Sequence, residues 1–260
     1  MGHLSQGRAW VIAVRATARG VLALGLGGLL ACGGGGGGSS APPLQQPPST
    51  PDISGAWTAT AGATTYHVLV LPGTLAFRSL DSNLLEGSGT FTLSGATLGG
   101  SIVIYPNALY RAGGYPKQTG SISGTASATA INDTITVPLG KVTNTLAPDT
   151  PANVPVQAAD LAGTFTATSG ANTSSGLGGT LTLNAAGDLT GSDSGGTLQG
   201  SVTPVAAGLN AFQASFTYTP ATGTPLACTG LAYLLPGPPA VLVLMADNGS
   251  VEFSGFFQKQ

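Results

Sequence analysis

Charge is the scarcest property of this sequence. Only 7% of its 260 residues are Asp, Glu, Lys or Arg, eight basic against ten acidic. A nucleic-acid partner needs a basic stripe to neutralise phosphates, and there are too few basic residues to build one. So low a charge content also separates the chain from highly charged disordered proteins. Histidine and cysteine are nearly absent, two of each. A zinc site draws several ligands from these types, so no metal site and no cofactor site is expected. No Gly-x-Ser-x-Gly elbow marks a hydrolase nucleophile. A membrane-spanning helix needs ~20 apolar residues, and Arg15 and Arg19 interrupt the apolar stretch at the front of the chain.

What is present is glycine, 41 residues of it, together with many Thr, Ser and Ala. Low charge, frequent glycine and short apolar alternations read as all-β with tight turns. Phe91 and Leu93 alternate with Thr90 and Thr92, and Leu75 and Phe77 with Ala76 and Arg78. Phe212, Ala214, Phe216 and Tyr218 oppose Ala211, Gln213, Ser215 and Thr217, while Val251, Phe253 and Phe257 oppose Glu252 and Ser254. A period of two assigns one set to a core and the other to solvent. Turn signals separate the runs at Pro72-Gly73, Asn184 to Asp188 and Asn248-Gly249.

The chain is also duplicated. Asp52 to Thr60 (DISGAWTAT) returns as Asp160 to Thr168 (DLAGTFTAT), identical at five of nine positions. A weaker echo pairs Gly120-Ser121-Ile122-Ser123 with Gly200-Ser201-Val202-Thr203. The expectation is two related antiparallel β-meander or small up-and-down barrel halves. The first spans residues 52–140 and the second 160–260, with eight candidate strands, enough for closure. Residues 141–159, with Pro148, Pro151 and Pro155, read as a linker.

The front of the chain has a different organisation. Arg8, Arg15 and Arg19 precede an uncharged apolar run from Gly20 to Leu30, and small Ala31 follows. These are the regions of a secretory signal, residues 1–31. Leu29-Leu30-Ala31-Cys32 resembles the lipobox of bacterial lipoproteins. The resemblance implies cleavage before Cys32, a diacylglyceryl thioether on its sulfur and an acylated amino terminus. Each buried methylene of such an anchor contributes ~0.8 kcal/mol, so several chains hold firmly to a membrane. Gly33, where Asp would imply inner-membrane retention, points to the outer membrane, with the periplasmic or surface face left open. Removing the leader with its three arginines leaves five basic residues against ten acidic ones, a net charge of −5. Residues 32–51 hold six consecutive glycines and then five prolines, and read as a disordered tether. A flexible chain of this length averages ~25 Å end to end, and extended it reaches ~65 Å.

Gly55-Ala56-Trp57 is similar to the Gly-x-Trp that opens lipocalin- and avidin-type barrels, where the Trp closes one end. The second half carries Phe165 at that position, and no Arg lies on the final strand to cover it. The lipidated Cys, glycine tether and Ser254-Gly255-Phe256-Phe257 resemble surface lipoproteins of the transferrin-binding and factor-H-binding type, and other bacterial lipoproteins with two β-barrel halves. With Cys32 lipidated, Cys228 has no partner and reads as a small buried hydrophobe.

The richest candidate for recognition is the stretch from Tyr105 to Gln118. It offers Tyr105, Tyr110, Arg111, Tyr115 and Lys117, three of six tyrosines and two of the five basic residues after Cys32. Tyr and Arg are enriched in binding hot spots, and long loops are where β scaffolds place them. His67, in Tyr66 to Leu71, reads as a strand histidine rather than a general base. Asn184, Asp188 and Asp193 fit turns better than a calcium loop. The function expected is a non-enzymatic, lipid-anchored outer-membrane protein that binds a protein or a small apolar ligand. The alternatives are a structural envelope protein without a soluble ligand, a barrel-type protease inhibitor, or a hydrolase using His67.

Overall fold

The computed structural model describes residues 49–82, 85–107, 110–111, 113–168 and 178–260. The signal region, Cys32 and most of the tether lie outside the described residues. Among the described residues, sixteen strands form two closed antiparallel barrels of eight. The first holds β1 (Gly55–Ala61), β2 (Thr64–Val70), β3 (Ala76–Asp81), β4 (Glu86–Ser94), β5 (Thr97–Tyr105), β6 (Gln118–Ala126), β7 (Ile131–Val137) and β8 (Gly140–Pro148). The second holds β9 (Gly163–Ala167), β10 (Thr180–Leu183), β11 (Asp188–Ser192), β12 (Gly196–Pro204), β13 (Phe212–Pro220), β14 (Leu226–Leu235), β15 (Val241–Asp247) and β16 (Gly255–Lys259). Each is an up-and-down meander, β8 closing on β1 and β16 on β9. Closure removes the free edges that so few charges are able to guard.

The duplicated segment opens each barrel. Trp57 of β1 and Phe165 of β9 both point into their barrel cores, 3% and 0% exposed. The aliphatic residue four positions earlier, Ile53 or Leu161, is buried in the same core. Gly55 and Gly163 turn the chain into the strand with φ of 109° and 144°, a region that side-chain-bearing residues rarely adopt. A Cβ on Gly55 would also stand 2.5 Å from the Asn153 amide oxygen. That amide accepts from Ala56 N–H at 2.6 Å and donates to Ala56 C=O at 2.8 Å. Asn153 therefore serves as a short surrogate strand beside the start of β1.

Two expectations are corrected. Residues 140–148 are strand β8, not linker, so the first barrel runs to Pro148 and the connection shrinks to 149–162. The strand was hidden because Asn144, which faces inward, is polar, leaving Leu146 as the strand's one fully buried aliphatic. The echo between Gly120 and Gly200 is not part of the duplication. Gly120 lies in β6, sixth in its barrel, whereas Gly200 lies in β12, fourth in the other.

A third apolar cluster lies outside both barrels. Ala56, Leu69 and Leu80 from the outer face of the first meet Leu231, Tyr233, Val243 and Met245 from the second. This explains why β14 and β15 are buried on both faces over most of their length and why Leu231 to Leu235 and Val241 to Ala246 read as continuous rather than alternating apolar runs. Each fully buried Leu, Val or Met contributes ~1.5–3 kcal/mol relative to exposure. The two barrels are thus joined by a core of their own.

Candidate functional site

In a meander, successive connections alternate between ends. The β5–β6 connection, residues 106–117, therefore lies at the end of the first barrel opposite the start of β1. Asn107 starts a short helical turn by accepting from Tyr110 N–H at 3.0 Å. The Tyr110 and Tyr115 rings meet edge to face with centroids 5.6 Å apart, and Tyr115 is 48% exposed. The other candidates are engaged within the molecule. Lys117 Nζ donates to Gly249 C=O of the second barrel at 2.9 Å and lies 5.6 Å from the Tyr105 ring. Tyr105 is buried, and its hydroxyl bonds the Ser88 side chain. Burial and the charge of Asp247 push its phenol pKa up. Arg111 supplies positive charge near Glu252. The loop thus acts in part as a strap between the barrels, with Tyr110 and Tyr115 as its outward face.

Beneath that strap lies a polar cluster drawn from both barrels. Arg78 of β3 donates to Glu86 of β4 and to Asp247 of β15. Ser254 donates to the other Glu86 oxygen at 2.5 Å. Glu86 N–H donates to Glu252 at 3.2 Å, and the second Glu252 oxygen is buried without a partner. Glu86 and Glu252 are wholly buried. Burial, only partly opposed by Arg78, pushes Glu86 up to about 7. Burial and the neighbouring charge of Glu86 push Glu252 up to about 9. Burial works against the charge of Arg78, but Glu86 and Asp247 outweigh it and raise its pKa. Sequence periodicity had put Arg78, Glu252 and Ser254 on solvent-facing positions. They do point out of their own barrel cores, but into the neighbouring barrel.

A groove of about 400 Å3 opens beside this cluster. Its floor is the outer face of β3 to β6, with Arg78, Ser88, Thr90, Ser101 and Thr119, and Gln213 and Leu231 of the second barrel line it as well. A smaller space lies inside one of the barrels. The first retains about 30 Å3 beside Asp133 and Asn144, room for about one water.

His67 packs edge to face on Phe256 at 5.4 Å. Its Nδ1 is buried without a partner, and burial lowers its pKa. The charge of Asp149 opposes that shift. Cys228 is buried, and burial pushes its thiol up to about 12, far from thiolate reactivity. Asn184 and Asp188 close a turn on each other, Nδ2 to Oδ2 at 2.7 Å. Asp193 accepts from Tyr218 OH at 3.0 Å. Among the described residues, no three His, Cys, Asp or Glu side chains gather as metal ligands.

Lys259, on the last strand, covers the Phe165 ring. Its Nζ lies 5.8 Å from the Phe165 ring and donates to Asp160 C=O at 2.8 Å. Compared with protein-family models, curated proteins and solved structures, the chain matches none of them.

Proposed function

We propose that the protein is a lipid-anchored, non-catalytic binding protein of the outer membrane. It is tethered through Cys32 and captures a neutral carbohydrate in the groove between its barrels. The groove is the observation that carries this reading. Its lining offers four hydroxyls and an amide, and its one cation is already engaged by Glu86 and Asp247. Hydroxyls donate and accept alike, which suits a polyhydroxyl ligand, while Val103 and Leu231 suit the C–H faces of sugar rings. Closed barrels offer no free edge for an extended peptide to add as a strand. Tyr110 and Tyr115, on the outward face of the 106–117 loop, would contact the same ligand or a partner protein.

The test is binding of neutral glycans to the protein from Cys32 onward, wild type against Ser101→Trp, which fills the exposed floor of the groove. Saturable binding by the wild type and its loss in the variant is the expected result. No binding to any glycan, together with an envelope defect on deletion, favours the structural envelope protein instead.

A further inference from the structure

The inter-barrel carboxyl cluster does more than join two surfaces. We propose that Glu252 is a proton-operated latch: neutral, it seats the 248–254 segment of the second barrel against β4 of the first, and ionised, it expels that segment and loosens the 106–117 strap. This goes beyond the binding reading and does not depend on it.

The geometry concerns one interface and several independent contacts. Glu252 is wholly buried, yet one of its oxygens has no partner and, among the described residues, the other takes one N–H, from Glu86 of β4. An ionised carboxylate wants several donors, and burying one without them is costly. The groups around it come from every neighbouring element. Glu86 of β4 and Asp81 at the end of β3 oppose its charge, and Arg111 of the strap favours it. Asp247 of β15 is its β-bridge partner. Arg78, the cation of the cluster, is spent on Glu86 and Asp247. Acid outnumbers base here, and the proton supplies the balance. The consequence reaches the strap because Lys117 is held by Gly249 C=O, within the same β15–β16 connection.

Linkage fixes the direction. An acid whose folded pKa lies above its ordinary value of 4.5 stabilises the seated state fully below 4.5 and progressively less as pH rises toward the folded value. Above about 7 the change at Glu86 is nearly complete, leaving Glu252 to titrate until about 9. In that window one proton is released per opening. The opening constant of the 248–254 segment should then rise about tenfold per pH unit.

The experiment is hydrogen exchange of the protein from Cys32 onward between pH 6 and pH 10, with intrinsic rates corrected. Protection factors are read at 248–254 and 106–117, and the interior-facing amides of β12 and β13 serve as controls. The latch predicts protection falling about tenfold per unit from 7 to 9 in those two segments only, and a flat profile over that range in Glu252→Gln. Unchanged protection in the wild type, or an equal fall in Glu252→Gln, overturns it. Should the variant not fold, a carboxyl 13C titration of the wild type decides. Glu252 titrating near 9 upholds the latch, and titration near 4.5 removes it.

Discussion

Arg78 on β3 and Asp247 on β15 lie 169 residues apart in sequence and form an ion pair that joins the two barrels. Glu86 shares the same guanidinium. Removing a cation from such a buried set leaves its carboxylates uncompensated, at a cost of ~3–5 kcal/mol. We expect Arg78→Met to lower the free energy of urea unfolding by that order at pH 8. At pH 5.5 the loss should be smaller, because Glu86, raised to about 7, already carries a proton there and depends less on Arg78.

The stability of the wild type should peak in mild acid. Glu86 and Glu252 have raised pKa values, so their contribution is full below 4.5 and is lost toward 7 and 9. His67 has a lowered pKa, so its contribution is present above 6.5 and is lost as pH falls. Between 4.5 and 6.5 the two glutamates outweigh the one histidine. The maximum then falls near pH ~4.5, and stability declines from there to pH 9. Denaturant midpoints measured at unit intervals of pH check both the position of the maximum and the sign of the slope.

Trp57 and Phe165 hold equivalent places at the start of their barrels, so a phenyl ring is compatible with either. Trp57→Phe gives up the bond from Nε1 to Ile53 C=O, 2.8 Å long. We expect it to cost ~1 kcal/mol in addition to the lost ring area. Trp57→Ala empties the site and should cost ~3–5 kcal/mol. Equilibrium unfolding, followed by circular dichroism because the fluorophore itself is removed, tests the contrast.

Lys259 covers Phe165 and ties β16 to the Asp160 carbonyl. Lys259→Ala should cost ~1 kcal/mol, and Lys259→Arg should recover most of it, since the guanidinium also lies well on a ring face. The same unfolding measurement reads both.

Much of the architecture was legible because inward-facing positions in these barrels are apolar. Phe212, Ala214, Phe216 and Tyr218 alternate in sequence and are buried in alternation in β13. The repeat of DISGAWTAT located the first strand of each barrel, and Asn248-Gly249 located a connection. Period-two reading failed where an outward face is covered by the other half of the molecule. Glu252 and Ser254 are polar and lie opposite Val251 and Phe253, so the pattern assigned them to water, yet they are 0% and 1% exposed. Nothing local to those residues announces a partner 166 positions away. The signal that did exist was the unbroken apolar run through β14 and β15, which marks burial on both faces. Of the stretch from Tyr105 to Gln118, Tyr105 ends β5 and Gln118 opens β6, so the loop is residues 106–117, and the engagement of Lys117 with Gly249 depends on how the barrels sit side by side. No residue in that stretch carries the information.

Location underlies the proposed function, and it rests on the cysteine at position 32. Intact-mass spectrometry of the protein extracted from the envelope of its native host measures it directly. We predict a chain beginning at Cys32, heavier than its amino-acid sequence by a diacylglyceryl group and an amide-linked acyl chain, and partitioning into detergent. A freely soluble chain that retains residues 1–31 with an unmodified Cys32 contradicts the anchor and, with it, the role at the outer membrane.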